Sequence, residues 1–150
     1  MSQQNLELVK ALFPEPDTDV IPLFRDEEIY ARMRVALGEL LTDDFQSAIV
    51  LPAETRMYVG LDGFRKNWLD WLEPWATYRT TIDELIDAGE HIVALLRDYG
   101  RRADMDTEIE LIGATVVTFR EGKLARWADY TDRAQALEYA GLPDDARTVL

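Results

Sequence analysis

Apolar residues recur at helical intervals through the first half of the chain and at alternate or successive positions through most of the second. Leu6, Val9, Leu12 and Phe13 predict a short amphipathic helix, ended by Pro14 and Pro16. Val20–Arg25 reads as a second short helix, with Asp19 as cap and Pro22 in its first turn. Asp26-Glu27-Glu28 opens a stronger one, because acids suit the positive N-terminal end of a helix. Ile29, Met33, Leu37, Leu40 and Leu41 form its face to about residue 41. Thr42-Asp43-Asp44 then reads as a turn, and Phe45–Leu51 as a strand broken by Pro52.

Gly60-Leu61-Asp62-Gly63 reads as another turn, with Asp62 placed to cap a helix from about 63 to 73. Phe64, Trp68, Trp71, Leu72 and Trp75 put most of the tryptophan on one side. Such a stripe packs a core or walls a ligand cavity, and it can do both. Residues 77–88 carry two patterns: Tyr78, Thr80, Ile82, Glu84 and Ile86 alternate as in a strand, while Thr81–Glu84 forms a capping box with Ile82, Leu85 and Ile86 at helical spacing. Local rules leave both open. His91–Tyr99 and Ile109–Phe119 are strands, apolar on both faces, so both faces need cover; helices can supply one cover and a second subunit the other. Glu121-Gly122 turns tightly into a strand at Lys123–Thr131, making a hairpin. Asp132 and Gln135 offer a capping box for a helix ending at Gly141, Pro143 stops continuation, and 144–150 is expected to be a loose tail. The order of elements predicts an α+β domain with helices on one face of a sheet. It forms one unit over residues 1–150, with a core at about 25–142.

Composition narrows the function. The chain has 150 residues, is 47% hydrophobic and carries a net charge of −13. That charge disfavours nucleic acid and anionic membrane surfaces as partners. No apolar run nears the ~18 residues of a membrane span, and the N-terminus lacks a signal-peptide pattern. There are no cysteines and one histidine, which excludes thiolate metal sites and argues against zinc. No acidic cluster has the ligand pattern for Mg²⁺ or Ca²⁺, so neither metal nor cofactor is expected. No phosphate loop or serine-nucleophile motif is present. The expected setting is the cytoplasm.

From about residue 25 to 142 the chain resembles the NTF2-like superfamily in its SnoaL-like branch. The matching stretches are Gly60–Phe64 with Trp68, Trp71 and Trp75; Asp87–Val93; Thr118–Leu124; and Tyr130-Thr131-Asp132 leading to Ala136-Leu137 and Gly141-Leu142. The resemblance implies a cone-shaped, curved antiparallel sheet packed on a long helix, with an open cavity, usually as a homodimer. It also implies a strand at 77–88. The superfamily includes isomerases, epoxide hydrolases, dehydratases, polyketide cyclases and non-enzymatic binding modules, so the site is argued by residue.

Ala125, Trp127, Asp129 and Thr131 share one face of the last strand. Arg126–Asp132 is similar to the end of limonene-1,2-epoxide hydrolase-type enzymes, where the Asp before the Tyr is one of two catalytic carboxylates. The other acid and a bridging Arg come from an Arg-x-Asp pattern on an earlier strand. On this alignment Leu95-Leu96-Arg97-Asp98-Tyr99 places Arg97 at the Arg and Tyr99 at the second acid, with Asp98 on the opposite face. Ketosteroid isomerases carry a base just before a Pro; here Leu51 precedes Pro52, and Glu54 follows it. SnoaL-type cyclases use an acid near the last strand. Counting from Gly141 that acid is Asp132, which also reads as a helix cap; counting from the Tyr it is Asp129. His91, on the face of Val93, Leu95, Arg97 and Tyr99, could serve as a base or ligand contact. The expectation is a pocket for a small, largely apolar molecule, walled by Trp127, Trp68, Trp71 and Leu95, with Asp129, Arg97 and Tyr99 as its polar groups. Whether it catalyses or only binds stays open.

Overall fold

The computed structural model describes residues 2–143; the tail expected at 144–150 lies outside the described residues. The elements are α1 (Ser2–Leu12), α2 (Ile21–Arg25), α3 (Glu27–Gly38), β1 (Leu41–Val50), β2 (Thr55–Val59), α4 (Gly60–Leu72), β3 (Thr77–Ala88), β4 (His91–Arg101), β5 (Ile109–Arg120), β6 (Lys123–Tyr130) and α5 (Arg133–Tyr139). One six-stranded sheet has the order β2-β1-β6-β5-β4-β3. β3 to β6 form an antiparallel meander, and β1 joins it by pairing parallel with β6. The curved sheet and its helices form the α+β architecture.

Several boundaries differ from the sequence expectation. Thr42-Asp43-Asp44 is not a turn but the start of β1; exposed polar residues there fit an extended strand end as well as a loop. Leu41 belongs to that strand, and α3 stops at Gly38. β2 was not expected. It is a short, largely exposed edge strand, so its residues carry no alternation to read. α4 begins before Asp62: Val59 is its N-cap residue, and Asp62 sits in the first turn, paired with Arg34. Trp75 falls beyond α4 and packs its ring on Gly100 of β4, where a Cβ would lie 2.6 Å from the ring.

Residues 77–88 are a strand, paired along nearly the whole of β4. Tertiary pairing overrides the local capping box, since twelve residues of ladder outweigh one cap. The hairpin turn is as expected, with Glu121 and Gly122 both at positive φ. Asp132 caps α5, its carboxylate accepting from the Ala134 N–H at 2.9 Å. The Gln135 half of the expected box is missing: its Oε1 is buried without a hydrogen bond among the described residues.

The two sheet faces bury different clusters. The inner face packs Tyr78, Ile92, Val117, Phe119, Leu124 and Trp127 against α1 to α4. The outer face packs Val93, Leu95, Val116 and Ala128 beneath Ala136 and Leu137 of α5. α5 therefore supplies part of the cover that the outer apolar face needs, and Ile112 stays exposed.

Candidate active site: an acid pair in an apolar cavity

Between the inner sheet face and α1 to α4 lies a cavity of about 540 Å³. Such a volume suits a drug-sized organic molecule. α4 contributes Leu61, Phe64, Asn67, Trp68 and Trp71, spaced three or four residues apart so that one side of the helix forms a wall. Phe13, Val20, Leu23 and Phe24, from α2 and the connection before it, add a roof, with Met33 and Leu37 of α3 beside them. Trp68 stacks on Phe24 with ring centres 5.0 Å apart. Trp127 packs edge-on to Phe64 and against Phe13.

At the sheet side two carboxylates, Asp98 and Asp129, line this space. Strand register puts their partners in place. Thr80 on β3 sits directly opposite Asp98 on β4, and its hydroxyl donates to Asp98 Oδ1. Tyr78, two residues earlier on the same face, donates its hydroxyl to Asp98 Oδ2 at 2.7 Å. The indole N–H of Trp71 in turn donates to Tyr78 Oη at 2.9 Å. On the next pair, Thr115 of β5 faces Asp129 of β6 and donates to its Oδ1 at 2.7 Å. The Trp127 indole N–H donates to the same oxygen at 3.2 Å. No donor reaches Asp129 Oδ2 among the described residues.

Among the described residues no Lys, Arg or His lines the cavity. The acids must therefore share an apolar space without a cation. Burial pushes the Asp129 carboxyl up to about 7, and the nearby Asp98 charge pushes in the same direction, against the Thr115 and Trp127 hydrogen bonds. Burial also raises Asp98, opposed by its bonds from Thr80 and Tyr78. Both acids are raised by burial, and Asp129, whose two donors meet on one oxygen, is the one pushed up to about 7. A carboxylic acid and a carboxylate lining one cavity are the equipment for moving a proton onto one atom of a ligand and off another.

Trp68, Trp71, Trp127 and Asp129, expected at the pocket, all line the cavity. The β4 residues His91, Leu95, Arg97 and Tyr99 do share a face, but it is the outer one, and this corrects their expected place. Leu95 is fully buried under α5. Arg97 pairs with Asp83 at 3.1 Å and Glu110 at 3.3 Å. Tyr99 bonds Glu110 and lies against the Arg79 guanidinium. His91 bonds Thr118 through Nδ1 at 2.8 Å and packs on Tyr139 of α5. Asp98, expected on the far face, points inward; aligning on the Arg of the Arg-x-Asp pattern shifted the reading by one residue, and one residue in a strand is the other face. Asp132 caps α5, and Glu54 is exposed in the turn after β1. Tyr78, Thr80 and Thr115 were missed; Tyr78 and Thr80 alternate on β3, and only the register sets Thr80 opposite Asp98 and Thr115 opposite Asp129.

The family profile described as a SnoaL-like domain matches residues 28–127. No curated protein matches the sequence. Among solved structures, a protein from Jannaschia sp. CCS1 assigned by resemblance to the SnoaL-like polyketide cyclases superposes with a TM-score of 0.62 at 17% identity, covering 94% of each chain. A ketosteroid isomerase-like fold from Catenulispora acidiphila, determined with trimethylamine, gives 0.53 at 21% identity over 89% of this chain and 97% of that one. An LEH-like epoxide hydrolase from M. tuberculosis gives 0.52 at 13% identity over 87% and 84%. At these identities the likeness is one of fold.

Proposed function

The chain belongs to the SnoaL-like domain family, and from that premise we propose that it is a cofactor-free acid–base enzyme acting on a small, largely apolar molecule held in the cavity. The observation that carries this reading is the Asp98–Asp129 pair, two carboxylates facing one apolar cavity that no cation among the described residues lines. The reaction class is isomerisation, cyclisation, hydrolysis or dehydration. Each needs one proton delivered and one removed. Asp129 is the acid: its free Oδ2 is the oxygen able to offer a proton to a substrate oxygen. Asp98 is the base, since a carboxylate oxygen that accepts one hydrogen bond keeps a second lone-pair site. Arg97 and Tyr99, on the outer face, take no part.

Epoxide hydration shows how the balance closes. Asp129 protonates the ring oxygen as its C–O bond breaks, water adds to the carbon, and Asp98 receives the proton water releases. The bridging Arg of the limonene-epoxide-hydrolase pattern has no counterpart among the lining residues, and Leu96 precedes Asp98 by two. This chain meets that loss by keeping a proton where the pattern has a cation.

The test is turnover of three substrate classes, small epoxides, β-hydroxy ketones and β,γ-unsaturated ketones, followed by product chromatography for the native protein and Asp129→Asn. Turnover lost in the variant supports the reading; a substrate converted equally by both overturns it. A second reading, a non-catalytic binding module, draws on Asp98, whose two oxygens are already satisfied by the protein. Binding of all three classes without conversion favours it. We further propose a cytoplasmic homodimer joined through the outer sheet face, where Ile112 and Tyr139 are exposed. A monomer in sedimentation at micromolar concentration would remove that part.

A further inference from the structure

We propose that Tyr78, itself oriented by Trp71, is the positioning residue that divides the acid pair, holding Asp98 as the charged partner so that the shared proton stays on Asp129 and faces the cavity. The proposal rests on the acid–base reading above, but its test needs no turnover.

The two acids are chemically alike and line one cavity from β4 and β6, on either side of β5, so something must make them unequal. The inequality is in the donors. An indole N–H can only donate. Trp71 therefore occupies an acceptor site of the Tyr78 oxygen and directs the phenol proton onward to Asp98 Oδ2. Thr80 occupies Asp98 Oδ1 in the same way. A proton on Asp98 would turn the acceptor of the Tyr78 and Thr80 bonds from a carboxylate into a neutral acid and weaken both. At Asp129 both donors converge on Oδ1, which leaves Oδ2 free to carry a proton. Burial holds the phenol itself neutral, with its ionisation pushed far up, so it remains a donor throughout.

Among the described residues, the titratable groups lining the cavity are Asp98, Asp129, Tyr78 and Tyr130, all from the sheet. α1 to α4 and β1 contribute apolar residues and Asn67, whose amide donates to Ser47. The Tyr78-to-Asp98 bond is thus the main lever on which acid is charged.

The experiment is a ¹³C NMR titration of the aspartate carboxyls, assigned with Asp98→Asn and Asp129→Asn, in the native protein and in Tyr78→Phe. In the native protein Asp129 titrates near neutral pH and Asp98 at lower pH. In Tyr78→Phe the Asp98 midpoint rises and the Asp129 midpoint falls by at least about one pH unit, a tenfold change in proton affinity. Trp71→Phe gives a smaller shift of the same sense. If Tyr78→Phe does not fold, Trp71→Phe and Thr80→Val carry the test, since each weakens donation to Asp98. A Tyr that merely fills space, and whose loss admits water, would lower both midpoints together; parallel movement or unmoved midpoints in a folded variant overturns the proposal. That failure would leave the acid–base reading standing if turnover still depended on Asp129, whereas turnover indifferent to Asp129 would remove that reading and not the division of the pair.

Discussion

Arg97 and Asp98 are neighbours in sequence and sit in opposite electrostatic worlds. On the outer face every charge near Arg97 is answered: Asp83 bridges Arg97 and Arg133, and Glu110 lies on the other side of Arg97. Arg133, with a side chain only 9% exposed, also donates to the main-chain carbonyls of Gly113 and Leu96. On the inner face two acids line the cavity with hydroxyls and indoles and, among the described residues, no cation. The outer arrangement lowers the proton affinity of its acid and stabilises the fold; the inner one raises it and costs stability. Charge that is balanced builds structure, and charge left unbalanced in an apolar space is available for chemistry.

The comparison breaks most visibly at Asp129. Asp129→Asn should cut turnover of any accepted substrate by about 10²–10⁴-fold, the usual contribution of a positioned acid or base, measured as kcat under saturation. The same variant should gain stability. The Asp129 carboxyl rises from 3.8 to about 7 on folding, so the folded state holds the proton more tightly. The Asp129 contribution to stability is then greatest below about pH 4, falls as pH rises toward 7 and levels above it. About three units at 1.36 kcal/mol each is about 4 kcal/mol, an order of magnitude for what Asp129→Asn recovers at pH 8 and not at pH 4. Urea unfolding across that range reads it. A native protein whose stability rises from pH 4 to 7 while the variant's does not would reverse the assignment.

Asp83 should show the opposite sign. Its two arginines hold it below the ordinary carboxylate range despite partial burial. Its contribution is present above the unfolded-state value and is lost as pH falls through the folded one, so Asp83→Asn should lower stability at neutral pH and flatten its fall on the acid side. Arg133→Met should cost about 3 kcal/mol in urea unfolding, because it removes a donor from two buried carbonyls and a cation from Asp83. The smallest effect sharpens the comparison most. Arg97→Ala and Tyr99→Phe should alter kcat/KM by less than about twofold, since neither side chain reaches the cavity.

The sequence made the elements and the aromatic wall readable because their spacing carries over directly into helices and long strands. Asp129 was readable because Trp127 and the following Tyr130 fix which way the last strand faces. The Asp98 side was not. Residues 92–96 are all buried, so β4 has no apolar–polar alternation to show its inner face. A single arginine was then the natural anchor for an alignment, and it anchored the wrong parity. Thr80 and Thr115 gain meaning only from the register that sets them opposite the acids, which is long-range information. The parallel β1–β6 pairing and the edge strand β2 were hidden for the same reason.

The roof of the cavity has a consequence for redesign. Its aromatic and aliphatic residues come from the first quarter of the chain, mostly before residue 28, where the family match begins. The roof is fastened to the sheet at Tyr78, whose N–H donates to the Asp19 carboxylate and whose carbonyl accepts from Val20 N–H. The main chain of that residue anchors the roof while its hydroxyl holds Asp98. An exchanged N-terminal segment could therefore reshape what the cavity admits and leave the acids untouched, provided it brings its own Asp and N–H to the same two atoms.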